Sequence, residues 1–123
     1  MPYTTAWERR GVVWRYWGTV SGEEILRSNQ EIYGDARFDE MDYQIVDFTS
    51  VERFEVTEED MVVMAANDRA AALTNPSVLV AVAARDALIK DLSALYEAET
   101  AESPWQHSVF ESVEDARAWA TRG

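Results

Sequence analysis

Between Tyr43 and Leu73 a strand, a turn and a helix follow one another with little ambiguity, and this succession constrains what the rest of the chain can build. Tyr43-Gln44-Ile45-Val46-Asp47-Phe48 is β-prone and largely apolar, the pattern of a strand covered on both faces. Thr49 to Thr57 reads as a polar turn region. Thr57-Glu58-Glu59-Asp60 then reads as a helix start, a hydroxyl N-cap followed by acids that suit the positive end of the helix dipole. The helix is predicted from about Glu58 to Leu73, with Val62, Ala66, Ala70 and Leu73 as its inward stripe, Val63 beside it and Met61 and Met64 at its flanks. Asn75-Pro76 ends it.

The flanking segments extend this alternation. Tyr3 to Glu8 and Val12 to Val20 are β-prone runs separated by Arg9-Arg10-Gly11, where glycine is expected to supply the positive φ of a tight hairpin. In the second run Val12, Trp14 and Tyr16 alternate with Val13, Arg15 and Trp17, so one face carries large rings and Arg15 marks the exposed side. Ser21 stands three residues before Glu24, a capping box, and Ile25, Leu26, Ile32 and Tyr33 recur at helical spacing until Gly34, the expected left-handed cap. Asp35 to Asp42 is predicted loop. Val78 to Ala83 reads as a strand covered on both faces, parallel to the central one, and Leu88, Leu92, Leu95 and Tyr96 define a helix over roughly Arg85 to Ala98. A loop from Thr100 to Trp105 leads to a short strand, Gln106 to Glu111. Ser112 then caps a last helix whose Val113, Ala116, Trp119 and Ala120 face inward. The order β-β-α-β-α-β-α-β-α predicts one α/β domain over residues 1–123: a mixed, mostly parallel sheet of about five strands, four helices and an antiparallel N-terminal hairpin.

Composition narrows the function. A net charge of −12, with Lys90 the only lysine among eleven basic residues, opposes binding to phosphate backbones and anionic lipid. Nucleic acid is therefore not an expected partner. A basic protein surface is the partner such a charge favours, although acidity also serves solubility. No apolar run approaches the eighteen or so residues of a membrane span, no signal-peptide pattern opens the sequence, and cysteine is absent, so a cytoplasmic protein is expected.

Three short stretches resemble the STAS superfamily (sulphate transporter and anti-sigma factor antagonist domains), in particular its SpoIIAA-like branch. Tyr16-Trp17-Gly18-Thr19-Val20-Ser21-Gly22-Glu23-Glu24 resembles its strand–Gly–turn–helix opening. Val46-Asp47-Phe48-Thr49-Ser50-Val51 resembles its strand ending in aspartate before a turn, and Val109 to Trp119 its closing strand and helix. The resemblance implies a non-catalytic domain that binds a protein or, in some relatives, a small apolar or lipid-like ligand. It also implies a phosphorylatable hydroxyl at the start of the helix after the central strand. Phe54-Glu55-Val56-Thr57 occupies that place without the family's glycine and paired serines, which leaves Thr57 as the one candidate, with helix capping as its alternative.

Other chemistry finds little support. His107 is the only histidine, and no Gly-x-Ser-x-Gly elbow accompanies it. The acid clusters Asp39-Glu40-Asp42, Glu58-Glu59-Asp60 and Glu97-Glu99-Glu102 lack calcium-loop spacing, and isolated glycines offer no phosphate loop, so neither metal nor cofactor is expected. Asp47 lies at the carboxyl end of a central strand, where α/β sheets often bind ligands. It lacks the acidic pair and the lysine of a receiver phosphoacceptor, and a structural role toward the next turn is expected of it. Trp7, Trp14 and Trp17 crowd the hairpin, with Trp105 and Trp119 near the C-terminus, as core, pocket lining or a homodimer edge. The candidate ligand or partner surface is Trp14, Trp17, Asp47, Phe48, Thr49, Ser50, Met61 and Met64. Two functions stand open: a non-catalytic regulatory domain acting through a protein partner or homodimer, and a carrier or sensor of a small apolar ligand held between sheet and helices.

Overall fold

A computed structural model describes residues 2–122. In chain order its elements are β1 (Tyr3–Glu8), β2 (Gly11–Ser21), α1 (Gly22–Tyr33), a 3₁₀ segment (Ala36–Glu40), β3 (Tyr43–Glu55), α2 (Glu58–Thr74), β4 (Leu79–Ala83), α3 (Ala87–Glu99), β5 (Gln106–Phe110) and α4 (Val113–Ala120). The strands lie in sequence order, β1-β2-β3-β4-β5. β1 pairs antiparallel to β2, and every later pair is parallel. Crossovers of one hand that march in one direction place their helices on one face of the sheet. Accordingly α1, α2 and α3 bury the larger core against Val12, Trp14, Tyr16, Phe48, Val80 and Val82. α4 precedes no further strand among the described residues and packs alone on the opposite face, setting Ala116 and Ala120 on Tyr43, Ile45, Ala81 and Ala83. Its Arg117 donates to Glu8 at 2.9 and 2.8 Å, and the Tyr43 hydroxyl donates to the same carboxylate. These bonds, Arg117 foremost, hold the Glu8 carboxyl below the usual range.

Several local expectations are corrected. The hairpin turns at Arg9-Arg10, and Gly11 is not its left-handed residue: it opens β2 in register with Glu8 and Tyr43. Glycine is needed there because any Cβ would collide with the Tyr43 ring. The positive φ, +64°, belongs to Gly18, at a register shift between β2 and β3. Gly34 ends α1 in right-handed geometry (φ −86°), and the predicted loop holds the 3₁₀ segment, which buries Phe38. β3 does not stop at Phe48. Two irregularities each give β3 an extra residue, and the pairing continues from Trp17 with Ser50 to Ser21 with Glu55. Since β4 pairs only as far as Asp47, this continuation is a two-stranded arm. Its solvated side tolerates the polar residues that resemble a turn.

The stripe predicted for α2 has the right period and the wrong phase. Val62, Ala66, Ala70 and Leu73 face solvent, and the buried residues are Met61, Met64, Ala65, Asp68 and Ala72. A carboxylate on the inner face disguises that face as polar. In α3 likewise Ile89 is buried and Leu88 is about half exposed (48%). The capping boxes at Ser21–Glu24 and Thr57–Asp60 form, and Ser112 caps α4 as expected.

Candidate functional site

The eight residues of the candidate ligand or partner surface do not form one surface. Trp14, Phe48, Met61 and Met64 point inward and line a cavity of about 60 Å³ between the sheet and α1–α3. Trp14 is only 1% exposed, which removes it from any partner surface, and its indole N–H has no hydrogen-bond partner among the described residues. The Phe48 ring lies tilted against Tyr16, centroids 5.0 Å apart, and edge-on to Phe54 at 5.2 Å. Trp17 (39% exposed) pairs with exposed Ser50 on the arm. Trp7 lies under Arg37, whose guanidinium is 4.0 Å from the ring centre. The aromatic hairpin edge expected from the sequence is therefore mostly turned into the protein.

Asp47 closes the first irregularity of β3. One carboxylate oxygen accepts from the Thr49 backbone N–H at 2.9 Å and from the Thr49 hydroxyl at 2.6 Å. This is the local backbone role expected of it, and it occupies Thr49 as well.

Thr57 caps α2. Its hydroxyl accepts from the Asp60 N–H at 3.1 Å, and the Asp60 carboxylate accepts from the Thr57 N–H at 3.0 Å. Gly22, the first residue of α1, lies so close to Asp60 that a Cβ there would overlap its carboxylate. Two helix N-termini thus sit side by side, with exposed Glu55, Glu58 and Glu59 around Thr57. A phosphate on Thr57 would break the cap and meet these carboxylates. Thr57→Ala is expected to lower stability by about 1 kcal/mol and Thr57→Ser by much less, as read by urea unfolding.

The sequence reading missed the most unusual group. Asp68, on α2, is 5% exposed and accepts from the hydroxyls of Tyr33 on α1 and Tyr96 on α3, so one carboxylate joins three helices. Burial pushes its pKa up to about 6, against the opposing pull of the two tyrosines. Burial also raises both tyrosines well above their ordinary values. A signal did exist, because Asn67-Asp68 puts two poor helix formers in mid-helix, where a polar side chain usually has a reason to be. Beyond Tyr96, its ring 4.9 Å away, the His107 side chain is only 6% exposed, with Nδ1 3.4 Å from Glu97. Burial lowers the His107 pKa, and Glu97 partly offsets this. Tyr16 and Ser28 share a further buried hydrogen bond of 2.5 Å. Chemically this interior is an apolar cavity edged by hydrogen-bonded polar groups, the Trp14 indole N–H apart.

A five-stranded mixed sheet with an antiparallel first pair, three helices on one face and a fourth on the other defines a SpoIIAA-like α/β domain. The anti-sigma factor antagonist SpoIIAA in its unphosphorylated form matches with a TM-score of 0.62 over 98% of both chains, at 13% identity. An uncharacterized DUF3478-family protein with a SpoIIAA-like fold, from Shewanella loihica PV-4, matches with a TM-score of 0.52 over 96% of this chain and 91% of that one, at 14% identity. No protein-family model matches the sequence, and no curated protein matches it. At these identities the likeness establishes the fold alone. No helix among the described residues is long and apolar enough to cross a membrane.

Proposed function

We propose that this chain is a non-catalytic domain that works by contact with another protein. The observation that carries this reading is the interior. A cavity of about 60 Å³ is room for roughly two water molecules. Pockets for organic ligands begin at about 300 Å³. The carrier reading would need α2 and α3 to move apart, and their packing is held by the Asp68–Tyr96 bond. Recognition by this fold then falls to its surface. Its match to an anti-sigma factor antagonist supports the same reading, as does a charge of −12, which suits a basic protein partner; the absence of cysteine is compatible with a reducing cytoplasm. Thr57 serves in this reading as a helix cap.

Native mass spectrometry of the protein isolated gently from its own cells tests the proposal. The expected result is the 14.0 kDa chain in complex with a protein partner and without a small molecule. A retained organic ligand of several hundred daltons would overturn it in favour of the carrier reading.

A further inference from the structure

The residues predicted to be the buried stripe of α2 form an apolar row on the outside of the molecule. Val62 is 41% exposed, Val63 46% and Leu73 89%, with exposed Ala66 and Ala70 between them. A single exposed leucine is ordinary, but an apolar row along three turns of one helix, with exposed Arg69 beside it, is the kind of surface that marks a contact site. Beside it, between α1 and α2, an open groove of about 340 Å³ is lined by Tyr33, Phe38, Asn67, Ala70 and Thr74. Ala70 belongs to both the row and the groove. Small residues at the centre of the row let another helix approach closely, and the groove is large enough to receive one of its side chains.

Charge selects the occupant. On α1, α2 and α3, the layer that carries this row, ten carboxylates stand against three basic side chains, and of the ten only Asp68 is buried. Each of the three bases is already engaged. Arg27 bonds Glu23 at 3.2 Å, Arg69 donates to the Glu99 carbonyl at 2.6 Å, and Lys90 bonds Glu111 at 3.0 Å. A second copy would bring the same acid excess against this one, and an anionic membrane would be repelled in the same way. An amphipathic helix with apolar residues at i, i+3 or i+4 and i+7, and with Lys/Arg on its flanks, meets both the apolar row and the surrounding field. We propose that the outer face of α2, with its adjoining groove, is the docking surface for a basic amphipathic helix of a partner protein. This rests on the interaction reading above and adds to it a surface and a partner chemistry.

A photo-crosslinking residue placed singly at Val62, Leu73, Ser50 and Thr5 in cells that naturally make the protein tests it, because all four positions are exposed. Thermal melts of the four variants confirm that each is folded. Adducts are expected from positions 62 and 73, on a Lys/Arg-rich segment with helical apolar spacing. Adding Leu73→Glu is expected to cut the adduct yield at position 62 at least tenfold. Adducts on a second copy of this chain or on lipid, or a yield unchanged by Leu73→Glu, would overturn the proposal. Protein adducts arising only from Ser50 or Thr5 would overturn it while leaving the interaction reading standing. No protein adduct from any of the four positions would remove both.

Discussion

Trp14→Ala is expected to lower the unfolding free energy by about 4 kcal/mol, the usual cost of truncating a buried aromatic residue. In a chain of this size that is roughly 15 °C in Tm. Trp14 is 1% exposed on the inner face of β2, among Tyr16, Phe48, Met61 and Met64, and it already borders a cavity. Alanine would enlarge that cavity in a core whose surroundings are tied by the Tyr16–Ser28 and Asp68 hydrogen bonds and so relax only partly. Trp14→Phe separates packing from polarity. Phenylalanine keeps most of the ring and removes an N–H that has no partner among the described residues, so a loss of only about 1 kcal/mol is expected. Urea unfolding of both variants checks the pair. If Trp14→Ala lost less than about 1 kcal/mol, or Trp14→Phe lost as much as alanine, this account of the core would be wrong.

The second large effect is a pH dependence carried by Asp68. Its folded pKa is raised to about 6 from an ordinary 3.8, so between these values the native state holds a proton that the unfolded chain has released. Stability from this group therefore falls as pH rises through that window and is level outside it. The shift corresponds to about 3 kcal/mol between pH 4 and pH 7. Other groups act in the opposite sense. His107 is lowered, so the unfolded chain binds its proton first and stability is lost as pH falls through the ordinary histidine value. Glu8 and Asp35 are also lowered and withdraw their stabilisation at still lower pH. The raw profile therefore mixes signs, and Asp68→Asn is needed to isolate one group. The stability of Asp68→Asn minus that of the parent is expected to be greatest at pH 7 and to shrink by about 3 kcal/mol by pH 4. Asparagine puts an NH2 donor where one of the two carboxylate oxygens now accepts from Tyr33 or Tyr96, which adds an offset independent of pH. A difference that stayed flat from pH 4 to pH 7 would show that Asp68 does not titrate in this range.

Order and type of elements were legible because they rest on local chemistry. Ser21 with Glu24, Thr57 with Asp60 and Ser112 with Asp115 mark helix starts by a hydroxyl that can reach a backbone N–H three residues on, and all three caps form. Facing is a tertiary property and was less legible. Val62 and Leu73 are more apolar than Met64, Ala65 and Asp68, yet the latter face the sheet, because Asp68 finds two tyrosines distant in sequence. The irregularities that prolong β3 were equally hidden. Asp47 and Thr49 bond to each other in a way that resembles a turn until the β2 register places them within a strand. Of the candidate residues, the capping role of Thr57 followed from pattern, whereas Met61 and Met64 were expected at the flanks of α2 and face inward. The buried carboxylate of Asp68 beside them was not foreseen at all.

The solitary position of α4 bears on how the polypeptide becomes a protein in a cell. Tyr43, Ile45, Ala81 and Ala83 are synthesised long before Val113–Ala120, the helix that covers them among the described residues. During translation that sheet face emerges from the ribosome bare, and it stays open to chaperones or to a neighbouring nascent chain until α4 has cleared the exit tunnel. The Arg117 bond to Glu8 reaches across 109 positions and is among the last to form. Completion of this fold is therefore timed to α4, and a pause in translation shortly before Val113 would lengthen the interval in which the chain is prone to aggregate.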